Sequence, residues 1–183
     1  MRFMKTSKRI ELPKVVSIYA LLSAIALVWI YLADLDVTFL GIKGIPEATF
    51  LAFLLFILSA LLTTHIAWAQ KLEEFLAQLV TPLTFPVILI MALCSSIGEE
   101  LFFRGALQNQ FGLIPASLLF GLVHIPWNKL MIPWTLIAIV AGFLLGGLYI
   151  YAGNLLAPIF LHFTINLFNL WAINQKYSVR STS

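Results

Sequence analysis

Five long stretches of this chain contain no charged residue: 15–33, 48–70, 75–98, 105–128 and 130–175. A helix needs about 20 apolar residues to cross the roughly 30 Å hydrocarbon core of a bilayer. The first four stretches each hold one span. The last holds two, broken at the turn signal Gly153-Asn154. With 61% hydrophobic and 10% charged residues among 183, a water-soluble globule of this size has too little polar surface to cover its apolar groups. The chain therefore reads as all-α, a polytopic membrane helical bundle of about six transmembrane helices. Approximate spans are 15–33, 48–70, 84–110, 114–128, 132–152 and 154–175.

Arg2, Lys5, Lys8, Arg9 and Lys14 precede the first span, as basic residues precede a signal peptide. The apolar stretch is too long for one, and no convincing small-residue cleavage site comes before Asp34, so it reads as a retained anchor. Cys94 is the only cysteine, which excludes an intrachain disulfide and leaves it a packing role. The net charge of +3 comes from basic residues at membrane-flanking positions. That distribution points to membrane lipid and away from nucleic acid. With both termini cytoplasmic, the inner segments carry Arg2, Lys5, Lys8, Arg9, Lys14, Lys71, Lys129, Lys176 and Arg180, and the outer ones only Lys43. This satisfies the positive-inside rule.

Between the second and third spans, Leu72, Phe75, Leu76 and Leu79 form a stripe opposite Lys71, Glu74 and Gln78. Such a pattern fits a short helix lying in the interface; a plain polar loop fits equally well. Pro46, Pro82, Pro115 and Pro133 sit near helix starts, where a missing N–H is harmless, and Pro126 sits near the end of the fourth span. Gly142-x-x-x-Gly146 lets the fifth span approach a neighbour closely. Trp127, Trp134, Tyr149, Tyr151 and Trp171 are candidate interface anchors. His65, with no motif around it, reads as a core histidine.

Against this apolar background, a few polar residues stand out: Glu99-Glu100-x-x-x-Arg104, His124 and His162-x-x-x-Asn166. An ionisable group in a membrane segment is costly and by default marks function. Glu100 and Arg104, four apart, share a helix face, with the acid N-terminal to its cation. Glu99 points about 100° away. One carboxylate is then neutralised by arginine while the other stays free to act as a general base. Phe120 and His124 share a face, so the phenyl ring limits the imidazole's rotation. His162 and Asn166 both donate hydrogen bonds, as an oxyanion stabiliser must, although the pair would also serve as helix glue. Counting about 1.5 Å per residue from each span's outer end puts Glu99, His124 and His162 near one depth.

Glu99-Glu100-x-x-x-Arg104, Phe120-x-x-x-His124 and His162-x-x-x-Asn166, in this order and with one span between the second and third motifs, resemble the CPBP family of intramembrane proteases. That family includes the eukaryotic CAAX prenyl endopeptidase and the bacterial abortive-infection and bacteriocin-immunity proteins. Gly105 after Arg104 also fits. The resemblance implies an endopeptidase that hydrolyses peptide bonds of membrane-associated substrates. Glu99 would activate water with help from His124. His162 and Asn166 would stabilise the oxyanion, with Glu100, Arg104 and Phe120 in support; Arg104 would also suit a substrate carboxylate. The cofactor is either none or one divalent metal. Zinc on Glu99, His124 and His162 would leave a fourth position for water, but no H-E-x-x-H is present, and the balance lies toward metal-free hydrolysis.

The implied organisation is an N-terminal two-helix membrane region with the interfacial segment (1–81), a protease core (82–175) and a polar tail (176–183). The orientation count opens the site nearer the non-cytoplasmic face, whereas the CAAX resemblance implies cytosolic substrates. The same residues admit other readings. A non-catalytic membrane-protein partner, such as an assembly or immunity factor, would keep the pocket without using it. A proton-coupled transporter would need paired broken helices. Ser95 and Ser96 lack a Gly-x-Ser-x-Gly context, both aspartates fall in one loop, and a Cys94–His dyad has no further support.

Overall fold

The computed structural model describes residues 11–124 and 132–178. Among the described residues the chain is all-helical. Its helices are α1 (Leu12–Leu32), α2 (Ile45–His65), α3 (Ala67–Val80), α4 (Phe85–Phe111), α5 (Leu113–Leu122), α6 (Ile132–Ala152) and α7 (Leu156–Ser178). Five of them, α1, α2, α4, α6 and α7, are long and apolar enough to cross a membrane, and the chain is a multi-pass membrane protein. Proline occupies the first turn of α1, α2 and α4, as its missing N–H favours. Gly44 caps α2 in the left-handed region (φ 89°), where a Cβ would also meet those of Ala152 and Ala157 at 2.7 and 2.9 Å.

The fourth expected span is the exception. Instead of 114–128, the helix α5 has ten residues and rises about 15 Å, half the hydrocarbon core. Gly112 (φ 89°) separates it from α4, and beyond Leu122 the chain tightens, His124 N–H bonding to the Gly121 carbonyl at 3.0 Å. A run of apolar residues carries no mark for this early stop. Pro126, Trp127 and Lys129 lie outside the described residues, as do the basic residues of the N-terminal ten and Arg180.

Helix α4 is not uniform. From Leu101 to Gln108 it winds as a π-helix, a wide form frequent at functional sites. α1 packs along α4, α7 packs on both α2 and α4, and α5 forms a hairpin with α6. The Gly142 and Gly146 face of α6 makes that hairpin tight: a Cβ on Gly142 would meet the Ser117 carbonyl oxygen at 2.9 Å. The start of α4 is clamped by Asn174 of α7, whose side chain accepts from Leu83 N–H (2.8 Å) and donates to the Leu83 carbonyl (2.9 Å).

The amphipathic stripe of 71–80 is a helix, with Leu72 buried and Lys71, Glu74 and Gln78 exposed. Glu73 on it holds Lys176 and Tyr177 of α7. Thus α7 runs past the expected tail boundary at 176, because the tail's first residues have partners on α3. Two further expectations change. His65 is exposed at the end of α2 rather than in the core. Tyr149 is buried rather than at an interface, its hydroxyl accepting from Asn109 Nδ2 at 2.7 Å.

Candidate active site

Two carboxylates at the end of the regular part of α4 meet two different environments. Glu100 is fully buried, and Arg104, one turn on, is only 1% exposed. A buried charge persists only when paired and hydrogen-bonded. Arg104 Nη1 donates to Glu100 Oε1 at 3.0 Å, Nη2 donates to the Gly142 carbonyl at 3.0 Å, and the guanidinium lies 4.5 Å from the centre of the Phe120 ring. Glycine at 142 brings α6 close enough for its carbonyl to be reached. One turn further, Gln108 repeats the arrangement on Gly146 (3.0 Å). Arg104 is enclosed by these contacts, with its Nε buried and unpartnered among the described residues.

Glu100 Oε1 has a second partner, His162 Nδ1 at 2.8 Å. The carboxylate accepts, so this ring nitrogen carries the hydrogen. His124 is held in the same sense by a different acceptor. Its Nδ1 lies 2.6 Å from the Phe120 carbonyl one turn back, which likewise can only accept. In the neutral rings, Nε2 of both histidines is therefore a free acceptor. Both Nε2 atoms stand 3.9 Å from one atom, Glu99 Oε2. Among the described residues that oxygen is buried without a hydrogen-bond partner. A gap of 3.9 Å is too long for a direct hydrogen bond and suits a bridging water. The Phe120 ring walls this space, 4.8 Å from His124 and 6.0 Å from His162, centre to centre.

The expected residues thus divide. Glu99, His124 and His162 converge, and Glu100, Arg104 and Phe120 support them. Asn166 does not join the cluster by a direct bond; its Nδ2 donates to Ser95 Oγ at 3.0 Å. Ser95 in turn donates to the Ala92 carbonyl (3.2 Å), so its hydroxyl anchors rather than attacks. One participant escaped the sequence reading altogether. Tyr19 of α1 donates its hydroxyl to Glu99 Oε1 at 3.1 Å. Its signal was faint: a tyrosine in an apolar span, with a small residue, Gly98, beside the acid it meets.

As a metal set, Glu99, His124 and His162 do not fit as they stand. Among the described residues no group of three His, Cys, Asp or Glu converges closely enough to hold an ion.

This fold and site define a multi-pass membrane protein with a carboxylate and two imidazoles gathered inside its bundle. Residues 81–168 match the family model described as type II CAAX prenyl endopeptidase Rce1-like. The match carries all three motifs. Over 85 residues the chain is 38% identical to a protein of Bacillus subtilis (strain 168) named Uncharacterized protein YpbD, covering 45% of this chain and 43% of that one. The match thus spans less than half the length of that relative. No solved structure matches.

Proposed function

We propose that this chain is an intramembrane endopeptidase of the CAAX type, hydrolysing peptide bonds of membrane-associated substrates with a water activated by Glu99 and His124. The carrying observation is the buried, unpartnered Glu99 Oε2 facing two imidazole Nε2 atoms at equal distance. A water there donates one hydrogen to Glu99 Oε2 and the other to His124 Nε2, leaving an oxygen lone pair for attack. As the new C–O bond forms, the water proton passes to Glu99. Its return to the leaving amine accompanies cleavage of the C–N bond. When His162 holds two protons, Nδ1–H stays on Glu100 and Nε2–H donates to the oxyanion; the second amide hydrogen of Asn166 is the complementary donor. No step in this reading is routed through a metal.

The substrate belongs to the membrane, as protein or peptide. The positive-inside count supports cytoplasmic termini. The test compares membranes containing wild-type and Glu99→Gln protein by proteomics of peptide fragments. Fragments that vanish in the variant are the products. Identical fragment sets with both proteins well expressed would overturn the protease reading and favour a non-catalytic partner.

A further inference from the structure

Helix α1 lies outside the segment that matches the family model, yet its Tyr19 hydroxyl ends on Glu99 Oε1. The backbone around this contact is built for it. A Cβ on Gly98 would meet both Cδ1 and the carbonyl oxygen of Tyr19 at 3.1 Å. Glycine therefore lets α1 close on α4 one residue before the carboxylate. Further along, a Cβ on Gly105 would meet Ile30 Cδ1 at 3.1 Å, Ala26 is fully buried, and Trp29 packs edge-on against Phe102 at 5.9 Å. These contacts fix the register of α1 along α4. The opposite face is apolar and outward, with Ile18, Leu21 and Val28 each more than half exposed.

A glutamate carboxyl turns about a broad, nearly two-fold torsion. A hydrogen bond to Oε1 decides which oxygen faces the two imidazoles and at what angle. We infer that Tyr19 is a positioning residue that holds the Glu99 carboxyl in its working orientation, so that α1 completes a site whose other members lie within residues 81–168. This rests on the reading of Glu99 as the base, and the experiment separates the two.

Full-length wild type, Glu99→Gln, Tyr19→Phe and Tyr31→Phe are reconstituted in lipid nanodiscs. Tyr31 is on the same helix and 83% exposed. Infrared difference spectra identify the carboxyl band that Glu99→Gln removes. Tyr19→Phe is expected to shift this band and Tyr31→Phe to leave it in place. With a cleaved membrane substrate, Tyr19→Phe should lower kcat by about tenfold or more, a misplaced reacting group being costly, with KM changed less than about twofold. An unmoved band, or wild-type kcat in Tyr19→Phe while Glu99→Gln is inactive, overturns the inference. Should Glu99→Gln cleave as well as wild type, the reading of Glu99 as the base falls, and the infrared arm still decides whether Tyr19 holds the carboxyl.

Discussion

His162 Nδ1 lies 2.8 Å from Glu100 Oε1, the same oxygen that receives Arg104 at 3.0 Å. Glu100 is thus the shared acceptor of two cationic or donor groups, and it and Arg104 are enclosed from solvent. Replacing it by glutamine leaves Arg104 buried without its counter-charge, a loss of about 3–5 kcal/mol. Glu100→Gln should melt well below wild type in detergent. Glu99→Gln, whose acid carries no ion pair with Arg104, should melt close to wild type while losing cleavage. Thermal unfolding of both variants checks the contrast.

Phe120 near the end of α5 and His124 just beyond it lie side by side but should fail differently. The His124 side chain is one-quarter exposed (25%), so His124→Ala is expected to keep its fold and to lose activity by about 100-fold or more, as removal of an acid–base group does. Phe120 is buried against Phe103 and against both imidazoles. Phe120→Ala should cost about 3–5 kcal/mol through the cavity it leaves. Melting curves set beside cleavage rates separate the two.

Two glycines on α6 offer a paired test of close packing. A Cβ at Gly142 would strike the Ser117 backbone, whereas at Gly147 it meets nothing within 4 Å. Gly142→Ala should therefore destabilise by about 1–3 kcal/mol through overpacking and weaken cleavage by moving the carbonyl that Arg104 uses. Gly147→Ala should match wild type in both measurements.

Asn174 makes two hydrogen bonds to Leu83 far in sequence from the acid–histidine cluster. Asn174→Ala forfeits both and should cost about 1–3 kcal/mol, at about 0.5–1.5 kcal/mol per bond, with KM and kcat little changed at a temperature where the variant is folded. A large loss of kcat in folded protein would contradict its reading as an anchor.

Orientation is open to labelling. With cytoplasmic termini, Lys43→Cys should react with an impermeant thiol reagent from the outer side and Lys71→Cys only from the inner side, both in a Cys94→Ala background. The reverse pattern would turn the site toward the cytosolic face.

Much of this protein is legible in one dimension because lipid makes the sequence speak plainly. Uncharged runs of span length mark α1, α2, α4, α6 and α7, since a charge there has no water to meet. The same cost makes Glu99, Glu100, Arg104, His124 and His162 conspicuous, and their four-residue spacings already pair Glu100 with Arg104 and Phe120 with His124. Periodicity, however, reports only which face a residue shares within its own helix. It assumes regular turns, and so it misses the π-helical stretch after Glu100 and the early end of α5 at Leu122. It also assigns no partner across helices. That His162 takes Glu100 as its acceptor, that Glu99 Oε2 is left to two imidazoles, that Arg104 reaches a backbone carbonyl of α6, and that Tyr19 arrives from α1 depend on how helices distant in sequence cross and on which glycines let them approach. Those contacts are settled by packing in three dimensions, where a missing Cβ decides the distance between two backbones and so which side chains can touch.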